Sequence, residues 1–403
     1  MAARSCWWRS LWVLATWSAA PFVVICCKST PLDGVGGAPG EGQSGAAGST
    51  SGQAGAPGDA GSDERGSAGE AASFDDGVTV FDRVTMSSDA AAEYHQNAAA
   101  PLTFGAAPVA RATLRIRLES PCFPFERWQT EPTTAGHFWP DACDAFDRQF
   151  LISLDGSDGG VGNGMPPGIE LTRAITPFGG PLSFDTDITD VVNGLPGDHV
   201  LRVEIPTYGD TEGKVSGSKG AWIVSANVLF EPGPAPRKVL AVVPLVFSPQ
   251  SSDAPDPFPF ETPAGTTSAR IEYRATGHGL GAGTAPACIG PAEEFCHRTH
   301  TLQLDGAELV TFDPWRTDCA ALCTLTPNGS GNGITQYCKE NPCGAPQSVR
   351  ASRANWCPGS VSAPLSIDAA SLATPGAHEL SLHIDALVEG GDWLVSATYF
   401  AFE

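Results

Sequence analysis

Short period-two runs of apolar residues, broken every few residues by Gly or Pro, constrain this chain more than any other feature. Leu114, Ile116 and Leu118 alternate with Arg115, Arg117 and Glu119. Leu201, Val203 and Ile205 alternate with Arg202, Glu204 and Pro206, and Trp222, Val224, Ala226, Val228 and Phe230 share one face of a later run. Alternation of this kind places one face of a strand on a core and the other in water. No stretch offers a long amphipathic helix. The pattern predicts antiparallel sheets stacked as a sandwich or jelly roll.

The alternation starts near Val78 and returns beyond Glu231-Pro232-Gly233-Pro234-Ala235-Pro236, where three prolines in five residues argue against ladder pairing. Two all-β domains follow from this, residues 76–235 and 236–403. Residues 28–75 are Gly, Ala, Ser and Pro with scattered acids. Such a segment buries too little apolar surface to offset its ordering entropy, and it reads as a disordered tether.

Residues 1–27 read as an export signal: Arg4 and Arg9 precede an apolar run from Leu11 to Cys27. Seventeen residues interrupted by Pro21 are short for a membrane span, which needs roughly 20. The run resembles a bacterial lipoprotein signal with Cys27, or else Cys26, as the acylated residue. The expected location is therefore the cell envelope or the exterior. Nine of the 12 cysteines lie beyond this signal, and in an exported protein they are disulfide candidates first. A formal net charge of -22 argues against nucleic acid as a partner.

Metal chemistry finds little support. His297 and His300 are three apart on a strand-like run and point to opposite faces. The Cys319–Cys323 and Cys338–Cys343 spacings favour disulfides over zinc in an oxidising compartment. No Gly-x-Ser-x-Gly elbow and no phosphate loop occurs. A copper monooxygenase on paired jelly rolls wants His-x-His pairs and a methionine ligand. No His-x-His occurs, and only Met86 and Met165 follow the start.

The acids carry more. Cys143-Asp144-Ala145-Phe146-Asp147-Arg148 puts carboxylates beside a guanidinium at a strand start. Glu293-Glu294-Phe295-Cys296-His297-Arg298 does the same near a second cysteine. Glu293 and Glu294 are adjacent, so one of them faces a given cleft.

These stretches, with Gly277-His278, Arg298-Thr299-His300-Thr301, Arg353-Ala354-Asn355-Trp356-Cys357-Pro358-Gly359 and Arg173-Ala174-Ile175-Thr176-Pro177-Phe178, resemble the bacterial peptide-N-glycosidase F family. The likeness runs in order from about Val78 to the C-terminus. It implies two side-by-side antiparallel jelly-roll domains with a cleft between them. It also implies a monomeric amidase that hydrolyses the bond joining an N-linked glycan to asparagine, without metal or cofactor. In this resemblance Asp147 matches the principal catalytic acid and Glu294 the second acid. Arg148, Tyr208, His278, Arg353 and Trp356 match residues lining the glycan cleft. Trp356 stacks on a sugar or packs over Cys357. The implied disulfides are Cys122–Cys143, Cys288–Cys296 and Cys319–Cys357, with Cys323, Cys338 and Cys343 outside the pattern. Arg148 beside Asp147 is expected to favour the charged form of that acid.

Two departures stand out. The family's third acid falls at Pro206, and Glu204, on the same strand face, is the possible substitute. It starts roughly 6.6 Å further along the strand; Asp210 and Glu212 are the other acids within reach. A 20-residue stretch also separates Cys122 from Cys143 and carries Trp128, His137, Phe138 and Trp139 beside Asp147. The loss at Pro206 leaves a second reading open, a non-catalytic N-glycan-binding protein on the same fold.

Overall fold

The computed structural model describes residues 77–124, 133–156, 168–279, 288–290, 292–328, 336–387 and 390–403. The signal, Cys27, the tether and Trp128 lie outside these. The protein is all-β, with four main sheets stacked as two sandwiches.

The first sheet has the order Tyr94–His95, Val78–Ser87, Ala221–Pro232, Val109–Glu119, Leu182–Asp187. The second has the order Ser360–Val361, Ile169–Ile175, Gln149–Leu154, Gly197–Glu204, Asn97–Phe104. The alternating residues meet between these two sheets. Leu114, Ile116, Leu118, Leu201, Val203, Ile205, Trp222, Val224, Ala226 and Val228 all belong to one buried cluster. Their polar neighbours face outward, where Arg115 pairs with Asp185 across adjacent strands. The proline-rich boundary begins later than expected. The Ala221–Pro232 ladder continues to Pro232, opposite Val109, because an end position tolerates the missing donor.

The third sheet has the order Val239–Gln250, Gly391–Phe402, Ser268–Gly279, Leu365–Asp368. The fourth has the order Phe258–Thr262, Gly376–Ile384, His300–Leu304, Ala307–Phe312. Ile271, Tyr273, Leu302, Leu382, Trp393 and Tyr399 form the centre of their core.

The second and third sheets lie face to face, and this seam positions the site. Leu151 packs against Phe247 and Leu394 across it. Beside them the fully buried Arg173 donates from Nε to Glu170 Oε1 at 2.7 Å and from Nη2 to Oε2 at 2.9 Å. Its Nη1 crosses the seam to Thr276 Oγ1 at 2.9 Å and the Leu394 carbonyl at 2.6 Å. The Ser360–Val361 strand then extends the second sheet by pairing with Ile175 and Ala174. One sandwich thus lends a strand to the other.

Removing one member of a buried ion pair strands the other charge. Arg173→Met should therefore cost about 3–5 kcal/mol in urea denaturation. A loss under about 1 kcal/mol would show that the apolar contacts hold the seam without this pair.

Candidate active site

Cys143-Asp144-Ala145-Phe146-Asp147-Arg148 enters the Gln149–Leu154 strand from a disulfide. Cys122 and Cys143 are bonded, and Arg148 N donates to Thr176 Oγ1 at 2.8 Å. The two acids have separate tasks. Asp144, fully buried, takes both arms of Arg148 at 2.9 Å and accepts from Trp222 Nε1 at 3.2 Å and Phe146 N at 3.2 Å. Arg148 also donates to the Tyr208 carbonyl at 3.2 Å and lies 3.8 Å from the centre of the Tyr208 ring. Its charge is consumed by Asp144, so Asp147 is left without an ion pair.

The second arm repeats the device. Cys288–Cys296 closes a loop holding a single turn, Glu293–Phe295. Glu293 is buried and accepts from Arg298 at 2.7 and 2.9 Å and from Trp393 Nε1 at 3.0 Å. Glu294 turns the other way, with its side chain 26% exposed and 2.7 Å from Arg353 Nη1.

Arg353 is fixed from behind. Its Nη2 donates to Ser348 O at 2.8 Å and Oγ at 2.9 Å, and its guanidinium lies 4.6 Å from the Phe295 ring and 4.5 Å from the Trp356 ring. His278 stacks on the other side of this cluster, 5.6 Å from Trp356 at 21°, and bonds Thr276 Oγ1 at 2.8 Å. Ala354 N donates to Glu294 O at 2.8 Å, and Gly277 N to Ala354 O at 3.1 Å. The Arg353-to-Cys357 segment thereby ties Glu294 to His278.

The electrostatics follow from this burial. Asp147 is pushed up to about 7, chiefly by desolvation; the guanidinium of Arg353 opposes this, the Glu294 carboxylate adds to it, and Arg148 opposes it. Arg148 favours the charged form, as expected. Burial nonetheless prevails. His278 is driven down to about 3 by desolvation, with Arg173 and Arg353 adding to the effect. It is a neutral ring at any ordinary pH.

The profile for the C-terminal domain of peptide-N-glycosidase F matches residues 248–399. In these residues the chain is similar to peptide-N-glycosidase F. A structure described as PNGF-II superposes with a TM-score of 0.58 at 19% identity, over 80% of this chain and 65% of that one. The chain thus spans just under two thirds of that relative. A peptide-N(4)-(N-acetyl-beta-D-glucosaminyl) asparagine amidase gives 0.55 at 19%, covering 81% and 95%. PNGase F, a glycosylasparaginase from Flavobacterium meningosepticum, gives 0.53 at 17%, covering 81% and 95%. At these identities the likeness establishes the fold. No curated protein sequence matches the chain.

Two family-aligned positions do not reach this cluster in the expected way. Glu204 stands directly opposite Leu151 in the ladder, four residues from Asp147, which is about 13 Å at strand rise. Asp210, the other acid considered, is held by the amides of its own loop, accepting from Lys214 N at 2.7 Å and Val215 N at 2.8 Å. Trp356 is 2% exposed and donates to Gly277 O at 2.9 Å. It has no free face for a sugar and serves as the platform for Arg353 and His278. Tyr208, 61% exposed, is the aromatic presented to solvent.

The three implied disulfides are present, and Cys323–Cys338 adds a fourth. Cys343 lies buried beside Cys122 and Cys143, outside the disulfides. Among the described residues two clusters hold three potential metal ligands, and in each a disulfide already joins two of the sulfurs. The inserted residues dock on the 209–220 loop: Phe138 N donates to Gly213 O at 2.7 Å and Gly217 N to Cys143 O at 2.8 Å. A cavity of ≈ 640 Å³ at the far end of the seam, lined by Arg111, Glu170, Arg270, Glu272 and Arg274, includes neither Asp147 nor Glu294.

Asp147 gives a pH prediction whose sign is fixed. A carboxyl with a raised folded-state value is protonated in the folded chain between about pH 4 and 7 while the unfolded chain is ionised. Its cost to stability accumulates as pH rises through that window and is constant above it. Asp147→Asn should raise the unfolding midpoint over wild type at pH 8 and change it little at pH 4. An equal difference at both pH values would mean that burial does not raise Asp147.

Proposed function

We propose that this protein is a peptide-N-glycosidase, hydrolysing the glycan–asparagine amide of N-linked glycoproteins or glycopeptides. The observation that carries the reading is Asp147, raised to about 7 and electrostatically linked to the Glu294–Arg353 pair across the seam. An amide carbonyl is a weak electrophile, so attacking water needs a base and the departing nitrogen needs a proton. A carboxyl that titrates near neutrality serves both steps with little driving force lost. Water oxygen bonds to the carbonyl carbon as Asp147 takes its proton. The C–N bond then breaks as that proton returns to nitrogen, leaving Asp in place of Asn and a glycosylamine. Glu294, held by Arg353, orients the water, and the Arg353 charge favours the developing oxyanion. Arg148 and Tyr208 flank the reacting carboxyl, and neutral His278 and Trp356 support Arg353. The chemistry calls on no metal or cofactor.

In this reading the chain divides into domains 76–235 and 236–403, each built on one sandwich. The signal, tether and Cys27 make the chain an exported, lipid-anchored or secreted monomer. Four disulfides suit an oxidising compartment. Among the described residues no helix is long and apolar enough to cross a membrane.

Pro206 and the offset of Glu204 favour one rival, a glycan-binding protein on this fold without hydrolysis. Mass spectrometry of a defined N-glycopeptide separates the two. Wild type should release the glycan and convert Asn to Asp, whereas Asp147→Asn should lose at least about a hundredfold in rate. Binding without release by wild type would select the rival. Full activity in Asp147→Asn would remove Asp147 from the chemistry.

A further inference from the structure

The first sandwich offers no acid at Pro206, but the second sandwich offers one at the same end of the seam. In the ladder between Ser268–Gly279 and Gly391–Phe402, Thr276 pairs with Leu394 and His278 with Asp392. Leu394 packs on Leu151, and the Ser396 hydroxyl donates to Glu170. Alternate positions of this strand therefore face the first sandwich, and Asp392 continues their row. Asp392 precedes Leu394 by two residues, and Asp147 precedes Leu151 by four. Both lie off the same end of the Leu151–Leu394 contact.

Asp144, Glu170, Glu293 and Glu294 each have an arginine. Asp392 has no hydrogen-bond or ion-pair partner among the described residues, although it is half-buried. Burial raises its pKa, and the Glu293 carboxylate raises it further. The carboxylate lies against Gly279, where a Cβ would stand 2.8 Å from Oδ1. An unmatched half-buried acceptor is uncommon in a native protein and calls for a donor from elsewhere. At the end of a cleft between two sheets, a hydroxyl or N–H of a bound ligand is placed to supply that donor.

We propose that Asp392 is a glycan-positioning carboxylate that accepts hydrogen bonds from hydroxyl or acetamido N–H groups of N-acetylglucosamine residues. This rests on the N-glycan reading above. Asp392 holds the sugar beside His278 while the reacting amide sits at Asp147, so its loss weakens binding more than it slows the chemical step.

The test combines titration calorimetry with N,N′-diacetylchitobiose and steady-state kinetics on an N-glycopeptide, for wild type, Asp392→Asn and Asp392→Ala. Loss of a charge-assisted hydrogen bond should weaken chitobiose binding and raise KM about tenfold or more. The kcat should stay within about threefold and the unfolding midpoint should not fall, since no partner is left stranded. A purely structural role predicts the reverse, a lower midpoint with unchanged KM. Wild type that binds and cleaves, with both variants equal to it in affinity and KM, overturns the proposal alone. Wild type that binds through Asp392 without cleaving keeps the proposal and sinks the amidase. Wild type that binds no chitobiose overturns both.

Discussion

A guanidinium taken out of water needs a carboxylate, and this chain meets that need three times along one seam. Asp144–Arg148, Glu170–Arg173 and Glu293–Arg298 are buried pairs within five residues of sequence, each joined by two parallel hydrogen bonds. Two-pronged pairing of this kind fixes orientation as well as distance. In the first and third pairs it has a second effect. The acid nearer the arginine in space is consumed, and the neighbouring acid, Asp147 or Glu294, is turned toward the cleft. The outer acids are aimed because the inner ones are anchored.

Those anchors leave a buried carboxyl in the cleft beside the charged pairs. Arg148 is matched by Asp144, and at Asp147 desolvation outweighs the pull of Arg353 and Arg148 toward the charged form. The same dry surroundings keep His278 neutral, so its stacking on Trp356 is a packing contact between two uncharged rings. Arg353 is the one cation that still acts on both outer acids. Its own rigidity comes from Ser348, Phe295 and Trp356, none of which needs to touch a substrate.

Much of this was legible in the sequence, and the limits have physical causes. Period-two alternation named the buried face of three strands residue by residue, because one face of each is wet. The cysteine-bounded acids Asp147 and Glu294 stood out through the resemblance. Without the resemblance, which acid of each pair faces outward was not legible: Asp147 adjoins Arg148 in sequence, yet the fold gives the arginine and Trp222 to Asp144, four residues away. Trp356 reads as a sugar platform until the Gly277 carbonyl is found beside its indole N–H. Asp392 drew no notice because its relation to His278 exists only through a ladder joining strands more than 100 residues apart.

Pro206 and the stretch between Cys122 and Cys143 meet at one loop. The last ladder bond of this strand is Ile205 N to Gln96 O at 2.8 Å, after which Thr207 N turns back to Ile205 O at 2.7 Å. A proline between them has no N–H to offer a neighbouring strand, so the sheet stops there and the chain leaves it. The departing loop is the one that receives the insertion, through Gly213 and Gly217, and it carries Tyr208 over Arg148 on its way out. An acid kept at 206 with a continuing strand would hold residues 207 onward in the sheet and leave the insertion nothing to dock on. The end of the strand at Pro206 and the covered flank beside Asp147 therefore come together, and Asp392 is the acceptor that the proposal above adds from the facing sheet.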